Sequence, residues 1–429
     1  MRWRAAFFLF AACLTAGLDG AVARPEQAQG PDYSSIDKYV LNAPPHATNS
    51  LDTLAAYLCK AGFSDKQKAR AIFRWISANI SYDVSMLKNK KGRNKTAEEL
   101  FESRWGICGC YVNLYQRLAE LGGLRSTPVY GYSRGYGYTP GTDVRDNTHA
   151  WIAAWFEGGW HLIDPTWGSG YIDKSDTFRR QLNDYYFGTP PGELVLTHFP
   201  MDPKFQFRTS PMSLREFTEQ VYLYPDFIRL GLHIGNRTKA SIETGSDVLV
   251  TLRANNTTYL VADVQRAETT LPHSLALVQN AMGTFEIRAQ FPTPGDYILN
   301  IYAQQKDSSN DADKKDFLPV MQYAVKASAG KGDRAGFPEF TAAFVGGSGR
   351  LYAPMDGSLQ AGSVQSFKIQ IPNAVKVAVI MGEEFHNLTR GGGQIFEGKV
   401  KVNAGDVIVG AMVQGESRKY SVLLRYRAY

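Results

Sequence analysis

Residues 104–115 read RWGICGCYVNLY, with two cysteines at the start of an apolar pattern of helical spacing. Because Gly122-Gly123 supplies a stop signal, the pattern predicts a helix over residues 108–121 that begins at Cys108. Unpaired N–H groups and the positive end of the helix dipole favour a thiolate at such a start and offer donors to an oxyanion. Cys108 is therefore a candidate nucleophile.

A thiolate nucleophile needs a proton shuttle, and an imidazole that changes its charge needs a carboxylate to orient it. His149 opens a predicted strand, and Asp164 ends the strand that follows it. Each residue alone has an ordinary alternative role, as a structural cysteine, a core histidine or an aspartate that caps a turn. Together, on one helix and two paired strands, Cys108, His149 and Asp164 form a candidate catalytic triad.

The predicted hairpin between these two strands makes the triad geometry testable. A two-residue turn at Gly158-Gly159 would place Ala153 opposite Asp164. His149 would then face the same side of the sheet as Ala153, but about 13 Å further along the strand. That separation is too long for a hydrogen bond, so the triad requires a bulge or a different strand register.

The chain has 429 residues, which exceeds the length of one ordinary domain. Helical segments followed by antiparallel strands are typical of an α+β domain, which we place at residues 49–235 as the catalytic domain. Two late helices, near residues 175–187 and 213–228, are expected to complete it. Residues 24–48 read as an extended lead-in.

The last two fifths of the chain have the pattern of all-β domains. Short strands separated by turn signals predict a β-sandwich at residues 236–326, a linker at 327–336 and a second β-sandwich at 337–429. Both sandwiches end in a Tyr-x-Val strand, at Tyr323 and Tyr420, which indicates a distant duplication. The predicted fold class is therefore an α+β core followed by two all-β sandwich domains.

The N-terminus has the pattern of a cleavable signal peptide at residues 1–23. Arg2 and Arg4 precede an apolar core, and Ala21-Val22-Ala23 forms a small-residue cleavage site. The core is shorter than the roughly 20 residues of a bilayer span. We therefore expect a secreted or periplasmic protein, with no integral membrane segment after signal cleavage.

Cleavage of the signal would leave three cysteines, Cys59, Cys108 and Cys110. An odd number in an oxidising compartment leaves at least one thiol unpaired, or paired between chains. A Cys59–Cys110 bridge with Cys108 free is one arrangement.

Composition and motif spacing exclude several function classes. The net charge of +6 is spread over the whole chain, so we expect no nucleic-acid partner. The histidines form no H-E-x-x-H motif, Cys108-x-Cys110 lacks the spacing of a zinc site, and no EF-hand loop is present. We therefore expect neither a metal nor a cofactor.

Three motifs in a fixed order resemble the transglutaminase-like core of the papain-type superfamily. They are residues 104–115, residues 149–151 (HAW) and residues 160–168 (WHLIDPTWG). Residues 197–202 (THFPMD) and the β-rich remainder resemble the kyphoscoliosis peptidase branch more narrowly. The resemblance implies a papain-like cysteine-protease core at the N-terminal end of the chain.

The same resemblance implies roles for individual residues. Cys108 falls on the family's nucleophile, His149 on its base and Asp164 on its orienting acid. Cys110 falls where the family usually has a small residue, so it is not the expected nucleophile. The family's oxyanion donor is an upstream aromatic residue, for which Tyr82 is the nearest candidate, with a core tyrosine as the alternative.

We interpret the sequence as that of an exported thiol enzyme that transfers acyl groups at amide bonds of a protein or peptide, with a peptidase as the first interpretation. Transglutaminase-type cross-linking, hydrolysis of a cell-wall peptide and a non-catalytic binding protein built on the same core are the alternatives. Hydrolysis and transamidation differ in water exclusion and acceptor access, which a sequence does not display. The expected partner is a protein or peptide substrate, including a cell-envelope peptide.

Overall fold

A computed structural model of the chain describes residues 32–89, 94–173, 175–254, 258–267, 269–281, 283–305, 317–341, 343–344, 349–414 and 419–429. The signal-peptide prediction for residues 1–23 lies outside these ranges. An α+β module comes first and two β-sandwiches follow, which confirms the predicted fold class. In the described residues, no helix has the length and apolar character that crossing a membrane requires.

The helices of the N-terminal module begin where the sequence supplies capping groups. Ser50, Ser64 and Thr96 each form a capping box. The capping hydroxyl accepts the backbone N–H of the residue three positions later, and the side chain of that residue accepts the backbone N–H of the capping residue. The helices are α1 (Ser34–Leu41), α2 (Leu51–Leu58), α3 (Asp65–Asn79), α4 (Val84–Asn89), α5 (Ala97–Ser103), α6 (Cys108–Leu121) and α7 (Pro191–Leu194).

A five-stranded antiparallel sheet, in the order β8-β5-β4-β3-β9, packs against these helices. Alternate residues of its central strand β4 face the helices, where Ile152 and Ala154 join the largest apolar core, while Trp151 and Ala153 face a smaller core on the other side. The strands of the module are β1 (Ser81–Tyr82), β2 (Trp105–Gly106), β3 (Ser126–Ser133), β4 (Thr148–Phe156), β5 (Gly159–Ile163), β6 (Gly170–Ile172), β7 (Phe178–Arg180), β8 (Phe187–Thr189) and β9 (His198–Pro200).

Two sequence-based expectations for this module are wrong. The lead-in at residues 24–48 is not extended throughout, because α1 forms there and its Asp37 pairs with the buried guanidinium of Arg70 at 2.6 Å. The predicted helix near residues 175–187 is instead the β6–β7 hairpin followed by a short turn. Asp173 closes that hairpin by accepting the N–H groups of Ser175 and Thr177, a local bond pattern that competes with a helix.

The two sandwiches share one topology. Each pairs a six-stranded sheet with a four-stranded sheet, and the strand orders correspond one to one. The first contains α8 (Leu214–Glu219), β10 (Tyr222–Leu223), α9 (Pro225–Arg229), β11 (His233–Ile234), β12 (Ser241–Thr244), β13 (Asp247–Arg253), β14 (Thr258–Arg266), β15 (Thr269–Thr270), β16 (Ala276–Ala281), β17 (Thr284–Gln290), β18 (Gly295–Gln305) and β19 (Leu318–Ala327). The second contains β20 (Glu339–Phe340), β21 (Arg350–Ala353), β22 (Ser358–Leu359), β23 (Val364–Gln370), β24 (Ala374–Met381), β25 (Glu384–Asn387), β26 (Thr389–Arg390), β27 (Ile395–Lys401), β28 (Gly405–Val413) and β29 (Ser421–Ala428).

The shared topology supports the inferred duplication, but it shows that Tyr323 and Tyr420, from which the duplication was inferred, are not equivalent residues. Ala327 pairs with the first residue of β18, and Ala428 pairs with the first residue of β28. Ala327 and Ala428 therefore occupy equivalent positions. Four residues before them lie Tyr323 and Leu424, so these two residues are equivalent, whereas Tyr420 lies just before β29. The repeated Tyr-x-Val pattern is therefore a coincidence within a real structural repeat.

The first sandwich also begins earlier than residue 236. Strand β10 pairs with β19, the last strand of that sandwich, so the segment predicted as a helix over 213–228 is split. Helices α8 and α9 occupy its two ends, and a sheet strand lies between them. The strand's two residues, Tyr222 and Leu223, are both buried.

The segment at 327–336, predicted as a linker, is held by specific bonds to both sandwiches. The N–H of Gly336 donates to Gln290 Oε1 at 2.7 Å, and Lys331 pairs with Asp356 of the second sandwich at 2.5 Å. Gln279 also joins the two modules, because its amide both donates to and accepts from the backbone of Leu351. These buried amide bonds give the joint a defined geometry.

The fully buried Arg134 side chain joins the first module to the segment before β10. It donates to the carbonyls of Phe217, Gln220 and Val221, and no carboxylate of the described residues pairs with it. We expect Arg134→Met to lower the free energy of unfolding of this module by about 3 kcal/mol, because three carbonyl acceptors, two of them in buried bonds, lose their donor.

Tryptophan fluorescence during denaturant unfolding measures this effect selectively. All seven tryptophans lie within residues 1–167, so the signal reports on the N-terminal module and not on the sandwiches. Arg145→Met is the matched control, since Arg145 is exposed and pairs locally with Asp143; we expect a change below about 0.5 kcal/mol. Equal effects of the two substitutions would contradict the prediction.

Candidate active site

Cys108 is the first residue of α6, as the sequence predicts. The residue before it, Ile107, provides no side-chain cap to the helix. Strand β2 approaches the helix closely because residue 106 is glycine, where a Cβ would lie 2.8 Å from Cys110 Cβ. The parallel pairing of Tyr82 with Gly106 then brings Tyr82 to the helix start. The partly exposed thiol of Cys108 thus lies at a helix N-terminus beside an aromatic hydroxyl.

His149 and Asp164 meet because the β4–β5 hairpin has a different register from the predicted one. The turn consists of Glu157 and Gly158, both with positive φ, so that Phe156 pairs with Gly159. Continuing that register places Asp164 opposite Trp151 rather than Ala153, which halves the offset from His149 to two residues. The observed distance from His149 Nε2 to Asp164 Oδ2 is 2.8 Å.

Four donors surround the Asp164 carboxylate, which has no solvent exposure. Its Oδ1 accepts the N–H groups of Thr166 at 2.8 Å and Trp167 at 3.1 Å. Its Oδ2 accepts from His149 and, at 3.0 Å, from His198 Nε2. Burial alone would raise the pKa of Asp164, but the charge and hydrogen bond of His149 and the bond from His198 hold that pKa well below its usual range.

The same contacts favour a charged pair at Cys108 and His149. Burial disfavours the imidazolium, yet the Asp164 carboxylate and the hydrogen bond with Cys108 raise the pKa of His149 to about 10. Burial likewise disfavours the thiolate, but the hydrogen bond and charge of His149 and the N–H of Ala150 lower the pKa of Cys108. The favoured state is therefore a thiolate beside an imidazolium.

His198 belongs to this cluster, and the sequence analysis gave it no role. It starts β9, a three-residue strand that pairs with β3 at the sheet edge. The approach of β9 depends on Gly131 in β3, where a Cβ would lie 2.2 Å from the carbonyl oxygen of Phe199. The available signal was the THFPMD motif at 197–202, which carried a family resemblance but no chemical assignment.

Three residues of this cluster, His149, Asp164 and His198, are of metal-ligating types, and their ligand atoms lie within 4.8 Å of one another. A histidine must present an unprotonated nitrogen to bind a metal. Here both Nε2 atoms face the same carboxylate oxygen at hydrogen-bond distance, and the raised pKa of His149 favours its protonated form. The donor set fits a hydrogen-bonded network better than a metal centre.

His149 lines a groove of about 960 Å³, whose wall combines nine Phe, Tyr and Trp residues with polar side chains. Both ends of the loop at 133–148 contribute to its wall, and so do residues within 222–229. At its rim Asp176 accepts hydrogen bonds from Tyr136 and Lys88, which joins the β6–β7 hairpin to that loop and to α4.

Tyr82 lines this groove next to His149. Burial, together with the nearby Cys108 charge, raises the pKa of Tyr82, so its hydroxyl keeps its proton. A protonated hydroxyl can donate a hydrogen bond to a developing oxyanion. A buried, protonated hydroxyl is what the oxyanion role requires. The ring centroids of Tyr82 and Tyr111 are 6.3 Å apart.

The cysteines are all free thiols in the part of the chain that the structure describes. Cys110 is fully buried and its sulfur accepts the N–H of Lys95 at 3.2 Å. Cys59 packs against Gly122 at the other end of α6, about 18 Å away along the helix axis. A Cys59–Cys110 bridge is therefore excluded, since bridged residues lie within about 7 Å.

Profile matches define the class of the two N-terminal modules. Residues 52–165 match the Transglutaminase-like superfamily, and residues 214–338 match the KY-like, immunoglobulin-like domain. The second match starts at α8, in agreement with the pairing of β10 into the first sandwich. The first module is thus a transglutaminase-like domain, and a KY-like immunoglobulin-like domain follows it.

Several curated proteins match parts of this chain. The chain is 29% identical to the kyphoscoliosis peptidase of Homo sapiens over 286 residues, which cover 66% of this chain and 41% of the human protein. It is 27% identical to hillarin of Drosophila melanogaster over 220 residues, covering 48% of this chain and 26% of hillarin. A Lim and transglutaminase domain protein of Caenorhabditis elegans is 27% identical over 226 residues, covering 49% of this chain and 31% of that protein.

These matches confirm the resemblance to the transglutaminase-like superfamily and to the kyphoscoliosis peptidases. The chain spans less than half the length of each of these relatives. The second sandwich lies almost wholly beyond both profile matches.

The charged pair predicts how the thiols react with iodoacetamide. We expect fast labelling of Cys108 at pH 6, because the thiolate is the reactive form and His149 favours it. Cys59 is an internal control, since burial raises its pKa to about 11 and it should label slowly below that pH. Peptide mass spectrometry locates each label.

His149→Ala removes the stabilising charge and should slow the labelling of Cys108 at pH 6 by at least about tenfold. Labelling of Cys59 should not change in this variant. A Cys108 rate in the unsubstituted protein that rises only near the ordinary thiol pKa of about 8.5 would contradict the charged pair.

Proposed function

We propose that this protein is a thiol enzyme that cleaves amide bonds of a protein or peptide, with Cys108 as nucleophile, His149 as base and Asp164 as orienting acid. The observation that carries the proposal is the 2.8 Å contact between His149 Nε2 and the buried Asp164 carboxylate, with Cys108 close enough to His149 for the imidazole to lower the pKa of the thiol, beside a groove that His149 lines. The export predicted from residues 1–23 is part of the proposal.

The reaction follows from the protonation states of the pair. The Cys108 thiolate attacks the amide carbonyl carbon, and the oxyanion that forms is stabilised by the N–H of Cys108 at the helix start and by the Tyr82 hydroxyl. The His149 imidazolium gives its proton to the departing amine, which leaves a thioester on Cys108. Neutral His149 then takes a proton from water as the water attacks the thioester, the Cys108 thiolate is expelled, and the acid product leaves with the thiolate–imidazolium pair restored.

Asp164 keeps its negative charge throughout this cycle. Its hydrogen bond at Nε2 fixes the orientation of the His149 ring, and its charge stabilises the imidazolium before each proton transfer. Trp167 and His198 pack against the His149 ring and, with Asp164 fully buried, keep water from the His149–Asp164 contact, which strengthens that interaction. The carboxylate therefore acts by orientation and electrostatics and transfers no proton.

Two considerations support hydrolysis as the outcome. The groove has a volume of about 960 Å³ and is partly open to solvent, so a peptide can enter it and water can reach the acyl-enzyme. The relatives that match over the largest part of this chain are named kyphoscoliosis peptidases. Transamidation uses the same acyl-enzyme with an amine in place of water, and an assay can distinguish the two.

Incubation with denatured casein and monodansylcadaverine tests the proposal. New peptide termini found by mass spectrometry indicate hydrolysis, whereas dansyl groups on glutamine side chains indicate transamidation. We expect new termini from the unsubstituted protein, and a loss of at least about 10⁴-fold in Cys108→Ala, because the nucleophile is removed.

Cys59→Ala is the matched control. It also replaces a cysteine with alanine, but Cys59 packs against the end of α6 that is far from Cys108. We expect it to retain activity, with an unchanged near-UV circular dichroism spectrum in both variants. Casein binding that persists in Cys108→Ala, without turnover of casein by the unsubstituted protein, would favour a non-catalytic binding protein instead.

A further inference from the structure

His198 contacts Asp164 beside His149, with the two imidazole ring centroids 5.3 Å apart, and the triad mechanism above does not use it. Its Nε2 is 3.0 Å from Asp164 Oδ2, the same oxygen that His149 contacts at 2.8 Å. The side chain is almost fully buried, with 1% exposure. Such a position excludes direct contact with a substrate, so any role of His198 in the reaction must pass through Asp164.

The surroundings of His198 fix which ring nitrogen carries the proton. An unprotonated Nε2 would place its lone pair against a carboxylate oxygen, which is repulsive, so Nε2 bears the hydrogen. The other nitrogen, Nδ1, lies 2.9 Å from the hydroxyl of Thr197, which can donate to it. His198 is therefore a neutral donor whose tautomer is set by Thr197 on one side and Asp164 on the other.

The charged groups near this ring are few. Among the described residues, Asp164 and His149 are the ionisable groups that act on it, and Cys108 lies beyond His149. Rings cover its other sides, with Trp167 at 4.5 Å, Trp151 at 5.1 Å and Tyr186 at 6.1 Å between centroids. Burial and the neighbouring His149 charge lower the pKa of His198, although Asp164 opposes this, which agrees with a neutral ring.

We propose that His198 is a positioning residue for the triad, whose Nε2–H shares Asp164 Oδ2 with His149 and so limits how tightly the carboxylate holds the His149 imidazolium. The catalytic consequence of this inference rests on the proposed function. Two physical effects act in the same direction. A carboxylate oxygen that already accepts one hydrogen bond is a weaker acceptor for a second, and the positive end of the His198 N–H dipole repels the neighbouring imidazolium.

This restraint matters for the proton that His149 must release. Without the His198 donor, the buried Asp164 would hold the His149 imidazolium more tightly still, and the proton would pass less readily to the departing amine. The Oδ1 atom is already fixed by Thr166 and Trp167, so the carboxylate keeps its place when the His198 donor is removed. Removal should therefore raise the pKa of His149 rather than lower it.

An NMR titration of the full-length protein with labelled histidines tests this inference without any substrate. The His149 signal is identified as the one lost in His149→Asn, and its pKa is measured in each variant. We expect His198→Phe, which keeps a ring but has no donor, to raise the pKa of His149 by about half to one unit. His198→Gln retains an N–H near the Nε2 position and should leave that pKa within about 0.2 units of the original value.

Two further variants complete the test. Thr197→Val removes the hydroxyl that fixes the tautomer, so we expect a smaller shift in the same direction, and it serves if His198→Phe does not fold. His161→Phe is the matched control, because His161 lies on the same sheet but contacts the Phe156 carbonyl and not Asp164. It should not change the pKa of His149.

An unchanged or lowered pKa of His149 in both His198→Phe and Thr197→Val would overturn the inference, because a role in packing alone predicts no increase. Failure of the proposed function gives a different result. In that case the unsubstituted protein would not cleave casein, whatever the pKa of His149 in these variants.

Discussion

Burial of the Asp164 carboxylate away from water would cost several kcal/mol if its oxygens were unpaired. Four donors prevent this, and they come from three separate segments of the chain: β4, the turn after β5, and β9. The carboxylate is thus satisfied only when the sheet has closed on both sides of it. Formation of the candidate site and completion of the sheet are therefore the same event, and the charged state of Cys108 and His149 depends on both.

The sequence predicted the parts of this arrangement that depend on local patterns. Capping boxes and a glycine stop located the helices, including the start of α6 at Cys108. The hairpin register was beyond such rules, because the observed turn places Glu157 in a left-handed conformation that sequence rules assign to glycine first. A shift of one turn residue moved the pairing by two positions, which decides whether His149 can contact Asp164.

His198 shows a second limit of sequence analysis. It lies 34 residues from Asp164 along the chain and stands in a strand of three residues, too short for a periodic pattern. Its position depends on the close approach that Gly131 permits, which is a tertiary effect. The duplication of the sandwiches was likewise invisible in residue identity, since Tyr323 is equivalent to Leu424, and it became evident only from strand pairing.

The boundary between the first two modules bears on the groove itself. Strand β10 belongs to the sheet of the first sandwich, yet Tyr222 within it donates its hydroxyl to the carbonyl of Arg134, next to the groove wall. Tyr224 and Arg229, which follow it, line the same groove as His149. The KY-like domain is therefore part of the site's architecture rather than a separate attachment, because the position of its first strand sets the position of one wall. Any account of which chains the groove accepts must include both modules.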